Sequence, residues 1–170
     1  MARQTIHFII TGGTIDSVYD GIKDTVVPYK KSVLPDYLKS LKLYADLKFS
    51  QVCMKDSREI TKADLKKILR TVEKSPCSKI IITHGTYTMP DTARYLAANL
   101  QRRDQTIVFT GAFIPLEGIL GSDAPFNLGF AIAKVQDLKP GFYVCMHAGV
   151  FSPSEVVKTL YEGRFSSIYG

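Results

Sequence analysis

The 170-residue sequence has few cysteines, and they follow none of the patterns of a disulfide framework or a metal site. Cys53, Cys77 and Cys145 are odd in number and far apart, and no two stand at metal-ligand or redox spacing. This usage predicts three reduced thiols in a cytoplasmic protein. The N-terminal MARQTIHFII lacks the apolar segment and cleavage site of a signal peptide, and no later stretch approaches a membrane span. We therefore expect no membrane partner.

A concentrated basic tract is also absent, although the net charge is +6 and the sequence pI is about 9.2. The basic residues occur in short pairs without interleaved aromatics, at 30–31, 66–67 and 102–103. We interpret these pairs as solvated surface and expect no nucleic-acid partner. Nucleotide-binding motifs are missing too. The segment TGGTID lacks the G-x-G-x-x-G spacing, and G-x-x-x-x-G-K-[ST] occurs nowhere.

Apolar strand patterns alternate with helical patterns along the whole chain, without a linker or an internal repeat. The patterns predict strands at 5–10, 47–54, 79–83, 106–110 and 141–146, and helices near 32–43, 61–75, 90–100 and 123–138. Helices of this length between strands require crossover connections, which implies a parallel sheet covered on both faces. We predict one domain over residues 1–170, an α/β fold with a doubly wound, mostly parallel sheet.

In such sheets, ligands bind outside the carboxyl ends of the strands. Four predicted strands end in unusual polar segments: 10-ITGGTIDSVY-19, 55-KDSRE-59, 83-THGTYTMPDTA-93 and 109-FTGAFIPLEG-118. Two of them carry a Gly-Thr pair at equivalent places, Gly13 with Thr14 and Gly85 with Thr86. The glycines can expose backbone N–H groups to a carboxylate or an oxyanion, and the threonines supply two hydroxyls.

A threonine hydroxyl needs a base before it can act as a nucleophile. The sequence shows no Ser-His-Asp constellation. His7 lies inside the first strand and His147 beyond the last, and strand alternation turns the His84 side chain away from its neighbours. Lys158, in 154-SEVVKT-159, is the basic group that could serve two threonines.

The five segments ITGGTID, DSRE, THGTYTMPDTA, FTGAFIPLEGILGSDAPFNLGFA and MHAGVFSPSEVVKT occur in the order found in the bacterial-type, threonine-dependent L-asparaginases. The chain resembles that family, and within it the short single-domain asparaginases that lack a C-terminal domain. The resemblance implies the fold of the asparaginase N-terminal domain. It also implies hydrolysis of a side-chain amide, such as that of asparagine, to a carboxylate and ammonia, with no metal or cofactor.

Roles for individual residues follow from the resemblance. Thr14 matches the nucleophilic threonine and Tyr19 the loop tyrosine that helps to activate it. Thr86 matches the second catalytic threonine, and Lys158 the lysine hydrogen-bonded to it. Among the substrate-binding positions, Ser57 matches the serine that holds the substrate α-carboxylate, and the others are Gly13, Asp56, Gly85 and Tyr87.

Tyr87 departs from the family pattern, which has HGTDT where this chain has HGTYT. The family aspartate completes a Thr-Lys-Asp relay and pairs with the substrate α-ammonium, whereas a tyrosine is neutral at pH 7. Asp16, Asp56 and Glu117 lie on loops from which a carboxylate could substitute. Two functions stay open: an amidohydrolase with a modified site, and a non-catalytic member that binds or senses a small molecule. In two-domain relatives a neighbouring subunit completes the site, so we also expect a homo-oligomer, a dimer or a tetramer.

Overall fold

The computed structural model describes residues 4–118 and 120–170. In chain order the strands are β1 (Thr5–Gly12), β2 (Ser17–Asp20), β3 (Thr25–Pro28), β4 (Asp46–Lys55), β5 (Lys79–Thr83), β6 (Thr106–Thr110), β7 (Gly141–Met146), β8 (Gly149–Phe151), β9 (Val156–Thr159) and β10 (Arg164–Ser167). The helices are α1 (Leu34–Ser40), α2 (Lys62–Glu73), α3 (Met89–Asn99) and α4 (Ala124–Asp137). None of these helices is long and apolar enough to cross a membrane.

Six strands form the central sheet, in the order β4-β1-β5-β6-β7-β8. All neighbours are parallel except the last pair, where β8 returns antiparallel to β7. The predicted mostly parallel sheet is therefore confirmed. Two antiparallel hairpins lie outside this sheet, one formed by β2 with β3 and the other by β9 with β10.

The sheet is covered on both faces, as the sequence predicts. On β1, Ile6, Phe8 and Ile10 pack into a cluster with α1 and α4, whereas Ile9 packs into the opposite cluster with α2 and α3. Alternate residues of one strand thus serve two cores, which explains why the buried strands are continuous apolar runs.

The order of the strands positions the site. From β1 the chain moves to one side, to β4, and then crosses back to β5 on the other side of β1. Such a reversal leaves a crevice at the carboxyl ends of the strands, where α/β proteins bind ligands. The connection from β6 through α4 to β7 proceeds in the same direction as the one from β5 through α3 to β6, but on the opposite face. Its hand is therefore opposite to that of the other crossovers, an uncommon feature.

Most predicted boundaries agree with the structure, and the differences have local causes. Helix α2 begins with a capping box, in which Asp64 N–H donates to Thr61 Oγ1 (3.2 Å) and Thr61 N–H donates to Asp64 Oδ2 (2.8 Å). The helix predicted near 32–43 is shorter and has a proline in its first turn. β8 and both hairpins have no counterpart among the elements predicted from sequence.

Two histidines are buried structural groups. Nδ1 of His7 lies 2.8 Å from Ser75 Oγ, and His84 lies between Gly85 O (2.8 Å) and Thr92 Oγ1 (3.0 Å). Burial lowers the pKa of each imidazole to about 4, and for His7 the charge of Lys48 adds to the effect. Both rings are therefore neutral in the folded protein at pH 7.

We expect the protein to lose stability on mild acidification. In the unfolded chain these histidines take up protons near pH 6.5, whereas in the folded protein they resist protonation until about pH 4. The neutral histidines thus make their full contribution to the free energy of unfolding above pH 6.5. This contribution is lost as the pH falls toward 4, and the loss is on the order of 2–3 kcal/mol per histidine at pH 4.5. Urea unfolding at pH 7.5 and 4.5 measures the loss. His84→Gln should reduce it, and equal free energies of unfolding at the two pH values would contradict the argument.

Candidate active site

The ends of β1, β4 and β5 touch through glycines. Gly12 and Gly13 have φ angles of +92° and +81°, and a Cβ on Gly12 would lie 2.5 Å from Lys55 N. A Cβ on Gly13 would overlap the backbone of Gly85. The Gly13 N–H donates to Lys55 O (2.8 Å). Glycine is required here because three backbones approach one another more closely than any side chain allows.

Ser57 is the next residue at this junction, and it is only 3% exposed. A Cβ on Gly85 would lie 2.7 Å from Ser57 Cβ and 2.9 Å from Ser57 Oγ. Thr88 fastens the two loops together, because its Oγ1 donates to Ser57 O (2.8 Å). The structure therefore brings Gly13, Ser57 and Gly85 together, although they are far apart in the chain.

Lys158 reaches the same place from β9. Its Nζ donates to Thr86 Oγ1 (2.7 Å), and Thr86 is only 4% exposed. On the hairpin Lys158 pairs with Phe165 of β10, which lies in the core. Burial lowers the pKa of the Lys158 ammonium, the positive charge of Arg58 lowers it further, and Asp56 opposes the shift. A lysine with a lowered pKa beside a buried hydroxyl is suited to proton transfer.

Tyr87 has two cations against its ring. Lys158 Nζ is 3.7 Å from the centroid of its ring, and Arg58 Cζ is 4.8 Å from the same centroid. Lys158 Nζ also lies 4.7 Å from the ring centroid of Phe113. These are cation–π distances, and the tyrosine is 49% exposed. Neither Arg58 nor Phe113 is among the site residues predicted from sequence. Arg58 directly follows Ser57 in KDSRE, so the sequence already indicates that it lies near the site. No local sequence pattern indicates the same for Phe113.

Asp56 is bound by its neighbour Arg58. Asp56 Oδ1 accepts hydrogen bonds from the backbone N–H and from Nε of Arg58, both at 2.9 Å, and Oδ2 accepts one from Nη2 at 3.2 Å. The hydrogen bond from the Arg58 side chain holds the pKa of this carboxyl below its usual range. Asp56 is thus an ionised carboxylate whose charge is already paired.

The two predicted catalytic residues of the first loop differ in their surroundings. Thr14 begins a 3₁₀ turn, Thr14–Asp16, directly after Gly13, and its side chain is partly exposed at the junction of the strand ends. Tyr19 lies on β2, is 53% exposed, and donates its hydroxyl to Asp24 Oδ1 (2.7 Å). Thr14 thus directly follows the glycine that lies against Gly85, whereas the Tyr19 hydroxyl is bonded within the β2–β3 hairpin.

The other two carboxylates considered from sequence belong elsewhere. Asp16 is completely buried, and its Oδ1 accepts the N–H of Val33 (2.9 Å), so it anchors the chain after the first hairpin. Burial raises the pKa of this carboxyl. Glu117 is exposed, and its charge acts on Asp16 and Tyr29.

A buried polar network holds the loop that carries Phe113. Asp123 Oδ1 accepts the N–H groups of Phe113 (3.0 Å) and Ile114 (2.9 Å), and Asp123 Oδ2 lies 2.9 Å from His147 Nε2. Asn127 connects this loop to the segment after β7, because its side chain donates to Gly111 O (3.0 Å) and accepts the His147 N–H (2.9 Å). The motif SDAPFN thus positions the aromatic ring that covers Lys158, and His147 has a structural contact.

Besides a cleft of about 200 Å³ at Ser57 and Thr88, two larger clefts open beside these side chains. One, of about 250 Å³, lies between the first hairpin and the loop after β4, and Lys23, Asp56, Arg58 and Glu59 are its charged lining residues. The other, of about 240 Å³, is lined by residues of α3 and β9 together with Tyr87. In the described part of the chain, no three His, Cys, Asp or Glu side chains are grouped so that they could hold a metal ion.

Known proteins are similar to this chain both in sequence and in fold. The chain is 32% identical to L-asparaginase 2 of Escherichia coli (strain K12), over 94% of its own length and 47% of that protein. It is 27% identical to the glutaminase-asparaginase of Acinetobacter glutaminasificans, over 99% of its own length and 54% of that protein. The chain thus spans about half the length of these relatives.

Two solved structures superpose closely. The thermostable L-asparaginase from Thermococcus kodakarensis gives a TM-score of 0.81 at 26% identity, with 97% of this chain and 51% of that chain covered. The probable cytoplasmic L-asparaginase from Campylobacter jejuni gives 0.80 at 27% identity, covering 97% and 52%. The model of the family "Asparaginase, N-terminal" matches residues 5–166. From the motifs, the fold and this match, the chain belongs to the asparaginase family.

Proposed function

We propose that this chain is an asparaginase-like amidohydrolase, which hydrolyses a small side-chain amide to a carboxylate and ammonia. The observation that carries the proposal is the 2.7 Å contact between Lys158 Nζ and the buried Thr86 Oγ1, at the junction where Gly13, Ser57 and Gly85 meet. Amide hydrolysis requires a base, a nucleophilic hydroxyl and backbone amides, and Lys158 with Thr86, together with Thr14 next to Gly13, could supply these parts.

Thr14 is the nucleophile in this proposal. Its Oγ1 attacks the amide carbon, the hydroxyl proton passes to the leaving nitrogen, and ammonia departs while an ester forms on Thr14. Water then adds to the ester, and the carboxylate leaves as the Thr14 hydroxyl is restored. Lys158 acts through Thr86, because the hydrogen bond polarises that hydroxyl and the lowered pKa of the lysine favours proton transfer.

Two hydrogen bonds in the site limit which groups can take part in the reaction. The Gly13 N–H donates to Lys55 O, so the oxyanion donors must be other amides of this loop, beginning with that of Thr14. The Tyr19 hydroxyl donates to Asp24, so a role for Tyr19 in activating Thr14 requires that hydrogen bond to break. Each exposed hydrogen bond costs little to exchange for another.

The direct test is ammonia release from the purified protein with asparagine, glutamine and amides that lack the α-amino group. We expect one equivalent each of ammonia and carboxylate from at least one amide, at a rate proportional to protein concentration. The alternative is a small-molecule binding or sensing protein. Two observations favour it: two cations lie against the ring of Tyr87, and the Tyr19 hydroxyl is bonded to Asp24. Binding of these amides without ammonia release would replace the enzyme by that alternative.

The cytoplasmic location and the homo-oligomer stay predictions from sequence. Among the relatives, one is a probable cytoplasmic L-asparaginase, from Campylobacter jejuni, and another is a probable periplasmic L-asparaginase, from Haemophilus influenzae. Neither description assigns a compartment to this chain.

A further inference from the structure

Positive charge dominates the surroundings of Tyr87. Lys158 and Arg58 both lie against its ring, at 3.7 and 4.8 Å from the centroid. The two cations also repel each other, because the charge of Arg58 contributes to the lowered pKa of Lys158. Arginine stays protonated throughout the accessible pH range, so one full positive charge is permanent here.

The carboxylates that line the two clefts offer little compensation. Asp56 accepts three hydrogen bonds from Arg58, and Asp91 is paired with Arg94 at 3.0 Å. Glu59 is exposed to solvent, and Lys23 lines the same cleft. An ammonium group entering beside Tyr87 would thus meet two cations and an aromatic ring, and both Asp56 and Asp91 are already paired with arginines.

We propose that this site takes ω-monoamides of dicarboxylic acids that carry no α-ammonium, and that Arg58 and Tyr87 determine this specificity. The simplest such amide is succinamate, which is asparagine with its α-ammonium replaced by hydrogen. Succinamate has a net charge of −1 and asparagine of zero at pH 7. The proposal rests on the proposed amidohydrolase function, and it concerns only the substrate that this function uses.

The physical reason is a difference in electrostatic free energy between two ligands of nearly equal size. The carboxylate common to both is attracted by Arg58 and Lys158, whereas the ammonium of asparagine is repelled by them. Desolvating that ammonium without a free carboxylate partner adds a further cost. The ring of Tyr87 could attract an ammonium, but it already has two of the protein's own cations against it, and their charges repel a third.

The experiment compares two matched pairs of ligands on the full chain. Succinate and aspartate, the products of the two amides, report binding without turnover, and titration calorimetry measures their Kd values. Succinamate and asparagine report catalysis, as kcat/KM for ammonia release. We expect at least a tenfold preference for the ligand without the ammonium in each pair, which corresponds to about 1.4 kcal/mol.

Three variants test the residues that carry the argument. Arg58→Gln keeps a polar side chain but removes the permanent charge, and should reduce the preference at least threefold. Tyr87→Asp places a carboxylate beside the two cations, and should shift the preference toward asparagine at least tenfold. Arg70→Gln, on the exposed face of α2, removes the same charge far from the site and should change nothing. If Tyr87→Asp fails to fold, the comparison of the two arginine variants decides.

The outcomes separate this inference from the proposed function. Tighter binding of succinate without ammonia release from either amide would support the ligand class while refuting the enzyme. Hydrolysis of both amides with equal or better use of asparagine would support the enzyme and overturn the ligand class. Failure of both succinate and aspartate to bind at millimolar concentration, or an equal loss of preference in Arg58→Gln and Arg70→Gln, would also overturn it.

Discussion

Thr14→Ala should lower ammonia release by at least ~10³-fold and leave the folded structure intact. Removal of a nucleophile from a hydrolase leaves only the catalysis supplied by binding and oxyanion stabilisation, so losses of this size or more are expected. The buried residues of the turn are Ile15 and Asp16, whereas Thr14 is partly exposed. Its truncation should therefore change the free energy of unfolding by less than about 1 kcal/mol.

Steady-state ammonia release and urea unfolding of the same preparation measure the two effects. Thr14→Ser is the matched control, because it keeps a hydroxyl at this position and should keep measurable activity. Unchanged ammonia release in Thr14→Ala would remove Thr14 from the mechanism. Thr86, whose hydroxyl already contacts Lys158, would then be the candidate nucleophile.

The parallel part of the central sheet could be predicted from sequence because its inner strands are buried on both faces, whereas the partly exposed edge strand β8 could not. β5, β6 and β7 have the predicted bounds, since each is a short apolar run that ends at a polar or glycine residue. The hairpins could not be predicted in the same way, because their strands are only four residues long and partly exposed. Asp20-Gly21 and Gly163 were the available turn signals.

The candidate site was predictable where backbone contacts determine it. The Gly-Thr pairs and Ser57 follow strands whose ends must meet at one edge of a parallel sheet, so their proximity follows from the fold. The positions of Lys158 and Tyr19 depend on hairpins that the sequence did not reveal. Lys158 lies in the site because β9 pairs with β10, whereas the Tyr19 hydroxyl is bonded to Asp24.

The roles of the charged residues were least predictable, because side-chain pairing depends on tertiary distances. Asp56 was considered as a free carboxylate, but it is bound to Arg58. Asp16 was considered on the same grounds, but it is completely buried and holds the N–H of Val33. Nothing in KDSRE or GGTID distinguishes a free carboxylate from a paired one.

Lys158→Met should lower kcat/KM for the preferred amide by about 10²- to 10³-fold, the usual contribution of a positioned acid or base. The variant keeps the length and apolar surface of the side chain against Tyr87 and Phe113, so we expect only a small change in stability. Lys134→Met is the matched control, since Lys134 also lies over an aromatic ring, that of Phe130, but on α4. Its activity should equal that of the unmodified protein.

The pH profile distinguishes proton transfer from simple attraction of an anion. If neutral Lys158 accepts the proton through Thr86, ammonia release rises with pH toward the lowered pKa of the lysine and then levels off. This limb should vanish in Lys158→Met, and Lys158→Arg should not restore it, because arginine keeps the charge but cannot act as a base. Recovery of most activity in Lys158→Arg with an unchanged pH profile would show that Lys158 serves only as a charge. Activity of Lys158→Met equal to that of Lys134→Met would remove Lys158 from the mechanism altogether.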